Sequence, residues 1–255
     1  MRLLLTNDDG IHAPGLKALV RELKNDFELH VVAPESEMSA VGHGVSLASP
    51  LRVQAIQKEG ALFGYSISGT PADCVKIAVQ ELLKQPPDLI LSGINPGANV
   101  GVNVLYSGTV SAATEGAFLG IPSVALSLNA RHNPDFTFAA RFSRKIIDYI
   151  NKQGLQAGTA LNVNIPALAP EQIRGIVITR QALGQFRERY ERRVDPRGNA
   201  YYWLAGEPPR EDSTPDSDAQ ALKEHKISIT PISFDLTCRE EFERLRRGAL
   251  PEFEM

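Results

Sequence analysis

An α/β fold built on a mostly parallel sheet is the architecture this sequence predicts, and three observations carry the prediction. Apolar runs without alternation, such as Leu3-Leu4-Leu5 and Leu89-Ile90-Leu91, have the pattern of strands buried on both faces. Strand-like and helix-like stretches alternate along much of the chain, the order that produces parallel pairs. The first strand stops at a polar turn, Asn7-Asp8-Asp9-Gly10, and a helix starts just beyond it. In open sheets of this kind, ligands bind in the crevice beyond the carboxyl ends of the strands.

Composition narrows the class. A chain of 255 residues is long enough for one large α/β domain, or for one domain with an elaboration. A hydrophobic fraction of 43% and a charged fraction of 22% are ordinary for a soluble globular protein. The net charge of -3 argues against a general nucleic-acid binder, which carries a basic surplus. No stable nucleic-acid complex is expected. Cys74 and Cys238 lie far apart, and Cys74 falls in an apolar helical run, so a packed thiol is expected rather than a disulfide framework. No stretch is apolar enough for long enough to span a bilayer, and no charged n-region or cleavage site precedes the first strand. The expected location is the cytoplasm.

Element by element, Pro14 opens a helix whose Leu16, Leu19, Val20 and Leu23 recur at helical spacing. Residues 27–33 form a second strand, ended by Pro34, and strand, helix and strand together make a parallel βαβ unit. Ser39 follows on the next loop and therefore shares a rim with Asp8 and Asp9, since adjacent parallel strands lie about 5 Å apart. Residues 45–47, 51–56 and 63–68 alternate roughly and predict a hairpin excursion before the parallel pattern resumes. Thr70-Pro71-Ala72-Asp73 has the order of an N-cap, a first-position proline and a first-turn acid, with the helix running to about Lys84.

Residues 88–92 form the next strand, and the richest loop follows it, from Gly93 through Asn95, Asn99 and Asn103 to Tyr106. A helix begins near Thr109. Strand 121–128, helix 136–151 and strand 160–165 come next, and that last strand is expected to close the sheet. Beyond Pro166 the character changes, and residues 176–179 are strand-like. Residues 187–194 and 201–204 flank the turn Asp195-Pro196-Arg197-Gly198 and predict a long basic, aromatic hairpin. Residues 207–218 read as a solvated acidic loop, 227–232 as a final strand and 239–247 as a final helix.

The chemistry lies at the loops. Two adjacent carboxylates at a strand end repel each other and lose hydration, a costly arrangement unless a cation sits between them. Taken alone, Asp8-Asp9-Gly10 is equally explained as a polar turn. Its neighbours on the rim add a hydroxyl, Ser39, and the amides of the loop from Asn95 to Thr109. Such hard oxygen donors suit Mg²⁺, Mn²⁺ or Ca²⁺. The histidines show no zinc-ligand spacing, and His12 and His43 are expected to be structural. Ser107-Gly108-Thr109 stands at a helix start, where unpaired N–H groups and the dipole attract an anion, although a simple cap also explains those residues. A P-loop, a G-x-G-x-x-G turn and a G-x-S-x-G elbow are all missing from the sequence. Metal-assisted phosphate hydrolysis survives that sorting. A non-catalytic nucleotide sensor built on the same rim is the rival class.

Five ordered stretches also resemble a known family. They are Thr6-Asn7-Asp8-Asp9-Gly10, Ser39-Ala40-Val41-Gly42-His43, Ser68-Gly69-Thr70-Pro71-Ala72-Asp73-Cys74-Val75, Ser92-Gly93-Ile94-Asn95 with Gly97 and Asn99, and Tyr106-Ser107-Gly108-Thr109-Val110-Ser111-Ala112-Ala113. They resemble the survival protein SurE family of nucleotidases, collinearly to about residue 180 and more loosely beyond. The resemblance implies a Rossmann-like three-layer core over residues 1–180. It also implies a hairpin arm and tail, residues 181–255, exchanged between subunits of a dimer or tetramer. It implies a phosphatase of nucleoside 5′-monophosphates, acting also on 3′-monophosphates and on short polyphosphate, with one divalent cation per subunit (Mg²⁺ or Mn²⁺). It assigns metal ligation to Asp8, Asp9, Ser39 and Asn95, and a place around the phosphate to Asn7, Asn99, Ser107, Gly108 and Thr109. In the mechanism expected from this set, Asp8 or Asp9 takes the proton of an attacking water, and a phosphoaspartyl route is the alternative. The basic arm is expected to serve subunit contact, with a polyanion grip as the other reading.

Overall fold

The computed structural model of the chain describes residues 1–130, 132–210 and 214–248, and for 185–188 and 206–210 the backbone only. The first half runs β1 (Arg2–Thr6), α1 (Pro14–Leu23), β2 (Glu28–Pro34), β3 (Val53–Lys58), β4 (Ala61–Ile67), α2 (Pro71–Ile77) and β5 (Leu89–Pro96). Then come α3 (Gly108–Phe118), β6 (Ser123–Asn129), α4 (Thr137–Gln153), β7 (Thr159–Pro166) and β8 (Ile176–Ile178). The chain continues with β9 (Gln185–Val194), β10 (Ala200–Arg210), α5 (Asp218–Lys223), β11 (Ile227–Ser233) and α6 (Arg239–Arg247).

Among the described residues, nine strands form one sheet in the order β3-β4-β2-β1-β5-β6-β7-β11-β8, and β9 and β10 pair separately. From β4 to β7 every pairing is parallel; β3 joins β4 and β11 joins β7 antiparallel. β1 is central, and its side chains explain why its sequence does not alternate. Leu3 and Leu5 pack on one face with Leu16 and Leu19 of α1 and with Phe142 and Ile146 of α4. Leu4, pointing the other way, packs with Cys74 and Val75 of α2 and Ala112 of α3. Helices cover both faces, so the three-layer, mostly parallel core is as expected.

Small residues set how closely α3 approaches the sheet. Gly108 through Ala117 are buried along its length, and a Cβ on Gly116 would lie 2.2 Å from the Ser123 hydroxyl. The start of α2 follows the sequence pattern. The Thr70 hydroxyl accepts the Asp73 N–H at 3.1 Å, and the Asp73 carboxylate accepts the Thr70 N–H at 3.0 Å. Beyond Ile77 the helical path continues through residue 82 in a wider, π-type turn.

Several expectations need correction. Residues 45–47 form no strand, because the Ser46 N–H goes to the Asp73 carboxylate at 3.1 Å and 3.2 Å and not to a ladder. The hairpin β3–β4 is no excursion: β4 pairs parallel with β2 and so widens the same sheet. Nor does β7 close it, since β11 pairs with β7 and β8 lies beyond. Sequence residues on either side of position 180 therefore share one sheet, and Asp218 strengthens the tie by accepting the N–H groups of Gly101 and Ala182, both at 3.0 Å. The acidic stretch 207–218 is not a single loop: β10 runs to Arg210, Ser217 and Asp218 are buried, and 211–213 lie outside the described residues. Cys74 is buried and Cys238 exposed, and both are free thiols.

Candidate active site

The site begins where β1 ends. Thr6 and Asn7 are buried, and the Asn7 amide donates to the Gly10 carbonyl at 3.0 Å, which closes the turn carrying the two acids. Asp8 lies against the start of α3. The Thr109 hydroxyl donates to its carboxylate at 2.5 Å, and the Thr109 backbone N–H supports the same group. A Cβ on Gly108 would sit 2.7 Å from the Asp8 Cβ and 3.0 Å from Oδ2, so this contact needs a glycine. Burial pushes the Asp8 carboxyl above its usual range, and the Thr109 bonds oppose that shift.

Asp9 has less support. Burial first, then the charges of Asp8 and Glu37, push its pKa up to about 7. Its Oδ2 is buried without a hydrogen-bond partner, and so is Oδ1 of the neighbouring Asn7. Buried acceptors without a donor are rare in native folds and point to a ligand that completes them. A hard cation fits: it would pair the carboxylates and supply the missing positive charge.

The other loops reach the same rim. The Met38 N–H donates to the Asp8 carbonyl at 2.8 Å, which ties the loop after β2 to the loop after β1. Ser39 is exposed, and its hydroxyl donates to the Glu37 carboxylate. Asn95 uses its amide nitrogen on the Gly97 carbonyl at 2.8 Å, leaving the amide oxygen as the atom able to ligate. The close approach of α1 to β5 brings the two loops together: a Cβ on Gly15 would lie 2.0 Å from the Ile94 carbonyl oxygen.

Asn99 is held from below the rim. Its N–H donates to Asn164 Oδ1 at 2.8 Å, and its carbonyl accepts from Asn162 at 2.7 Å and Asn164 at 3.1 Å. Its own amide donates to the Ser127 hydroxyl at 2.9 Å. At the head of α3 the Ser107 hydroxyl caps the Val110 N–H at 3.1 Å. With Thr109 turned to Asp8, Gly108 is the first-turn N–H without a partner among the described residues.

Sequence reasoning missed Glu37, which adds a third negative charge beside the acid pair. It also missed Ser127, Asn162 and Asn164, all fully buried. The signal existed: asparagines two apart in an otherwise apolar strand face one side, where burial demands partners. Among the described residues no group of three or more His, Cys, Asp and Glu side chains is placed to hold a metal. A site here therefore draws on hydroxyl and amide oxygens beside its two carboxylates, which suits the alkaline-earth type of cation and not zinc.

The chain is similar in sequence and fold to proteins of one family. A family model described as Survival protein SurE matches residues 3–188. The 5′-nucleotidase SurE of Syntrophus aciditrophicus is 54% identical over 247 residues, covering 96% of this chain and 93% of that protein. That of Syntrophobacter fumaroxidans is 50% identical over 250 residues, covering 98% and 100%. The crystal structure of the SurE protein from Aquifex aeolicus, 39% identical, matches with a TM-score of 0.84 and covers 96% of this chain and 98% of that one. A matched core, a shared topology and near-complete coverage lead to one conclusion: the chain belongs to the survival protein SurE family.

Proposed function

We propose that the chain is a metal-dependent 5′-nucleotidase, a phosphoric monoester hydrolase that converts nucleoside 5′-monophosphates to nucleoside and phosphate. The observation that carries this reading is the buried, unpartnered Asp9 oxygen beside Asp8, set against the N-terminus of α3. Relatives at about half identity that carry the name 5′-nucleotidase support it. Action on 3′-monophosphates and short polyphosphate belongs to the same proposal, since the phosphoryl end is what the rim would grip.

One divalent cation per subunit, Mg²⁺ or Mn²⁺, would be held by Asp8, Asp9, Ser39 and Asn95. Bound there, it would polarise a phosphoryl oxygen and make a water more acidic. The chain does the rest. Thr109 holds Asp8 in place, and Asp9, whose buried oxygen has no donor among the described residues, is the acid placed to take a proton from the attacking water. The Gly108 N–H, the Ser107 cap and the second amide hydrogen of Asn99 take up charge developing on the phosphoryl group. Direct attack by water is favoured over an aspartyl-phosphate, because a carboxylate committed to a cation is a weaker nucleophile.

Self-association to a dimer or tetramer, with the arm exchanged between subunits, completes the proposal. It is supported by the exposed Tyr190, Tyr202, Trp203 and Leu204 of the β9–β10 arm and by Phe242 and Leu245 of α6. No helix of the described residues is long and apolar enough to cross a membrane, and the proposed location is the cytoplasm. The test is phosphate release from a panel of nucleoside monophosphates, before and after chelation. Release that persists unchanged in chelator refutes the metal-dependent reading. Binding of AMP without release favours the sensor.

A further inference from the structure

Ser39 stands on a stretch, residues 35–52, without helix or strand between β2 and β3. Connections of that length are uncommon in compact domains and are usually functional. Its ends bond Ile67 and Ser68, and besides Met38 four polar ties hold its middle down. The Gly42 N–H donates to the Tyr106 carbonyl at 3.1 Å, the Gly44 carbonyl accepts the Thr70 hydroxyl at 2.7 Å, and Ser46 bonds Asp73. The fourth joins two side chains. His43 Nε2 lies 2.8 Å from Oε2 of Glu115, a carboxylate on α3 whose side chain is only 5% exposed.

The other oxygen of Glu115 accepts from Lys76 Nζ of α2, also at 2.8 Å. Burial by itself would push the Glu115 carboxyl up, but the bonds from His43 and Lys76 outweigh it and hold the group below its usual range. Glu115 is therefore an ionised acceptor, and the His43 nitrogen facing it must carry the proton and donate. Two donors share this carboxylate, yet they come from different places. Lys76 joins α2 to α3, both already packed together in the core. His43 joins α3 to the loop bearing Ser39. The same helix carries Thr109, which grips Asp8, so Glu115 refers the Ser39 loop to the element that positions the acid pair.

We propose that His43 is a positioning residue for the divalent cation: docked on Glu115, it fixes the loop that presents Ser39 and so sets how tightly Asp8, Asp9, Ser39 and Asn95 hold the ion. The inference rests on the cation site proposed above. Removing His43 frees the loop near Ser39 while leaving the acid pair and the head of α3 in place. The cost falls on cation affinity, not on the chemistry once the ion is bound.

The test compares the full-length native protein with His43→Ala, His43→Gln and Lys76→Met. Each is titrated with MnCl₂ alone, followed by thermal melting, and then assayed for phosphate release from AMP at saturating Mn²⁺. The expected result for His43→Ala is about a tenfold higher Mn²⁺ concentration for half-maximal thermal stabilisation, within the range of couplings carried by packed networks. Its kcat at saturation stays within about twofold of native. His43→Gln, whose amide can donate to the same carboxylate, recovers most of the affinity. Lys76→Met lowers the melting temperature without ion and leaves the Mn²⁺ requirement unchanged. A native Mn²⁺ requirement in His43→Ala, or an equal rise in Lys76→Met, overturns the proposal and reduces the cluster to general stability. Native protein that Mn²⁺ does not stabilise at all refutes the cation site itself, and the proposal with it.

Discussion

Thr109 and Asp8, 101 residues apart in sequence, meet through a 2.5 Å hydrogen bond between hydroxyl and carboxylate. That bond joins the end of the central strand to the head of the most buried helix. It gives Asp8 a fixed orientation and leaves Asp9, its neighbour, as the acid without a donor on its buried oxygen. The division of labour follows: one carboxylate is anchored by the protein, and the other awaits something from outside.

Thr109→Val keeps the shape and removes the donor. A buried acceptor losing its partner costs about 1–3 kcal/mol, so the melting temperature should fall and phosphate release from AMP should drop with it. Thr109→Ser retains a hydroxyl and should preserve most of both. Equal behaviour of the two variants in a melting and turnover comparison would show that the bond is incidental.

Asp9→Asn should lower phosphate release by about 10²–10⁴-fold, the usual worth of a positioned proton acceptor. The same change removes a repulsive charge beside Asp8 and Glu37, so the cation-free protein should melt no lower than the native one. Circular dichroism melts and a phosphate assay on one preparation check both halves. A variant that is fully active places the chemistry elsewhere.

The raised pKa of Asp9 has a consequence for stability. Its folded value of about 7 lies above the ordinary 3.8, so the folded state binds the proton more tightly than the unfolded chain does. The contribution is complete below the unfolded value and is lost as pH rises through the folded one. Cation-free protein should therefore lose stability between about pH 4 and pH 7 from this group, and Asp9→Asn should flatten that part of the profile. Calorimetry in chelator across the range decides it, and parallel profiles for the two proteins would contradict the assignment.

Gly108→Ala tests the contact between α3 and Asp8. The new methyl would lie 2.7 Å from the Asp8 Cβ and 3.0 Å from the Pro71 Cγ, so the helix head or the acid has to move. Overpacking of this kind costs about 1–3 kcal/mol. Displacement of the carboxylate should also cut phosphate release by about tenfold or more, since small misplacements of reacting groups are expensive. A variant with native melting and turnover would mean that the gap is wider than it looks.

Much of this was legible without coordinates, because the signals are local. Thr70, Pro71 and Asp73 sit within one helical turn of one another, and a capping box needs nothing more distant. Leu3-Leu4-Leu5 lacks alternation because both faces of β1 are covered, and that too is written in three consecutive residues. The polar rim residues were found the same way, as loops following buried strands.

What the sequence by itself determined is most of the strands and helices, the cap of α2 and the polar loops that follow the buried strands, since hydrophobic period and turn chemistry act over a few residues. Tertiary structure alone decided which distant groups meet. It paired β11 with β7 across some sixty intervening residues, placed Asn162 and Asn164 under Asn99, and turned His43 toward Glu115. Those contacts depend on the packing of whole layers, where burial leaves a polar group only the partners that the fold brings to it.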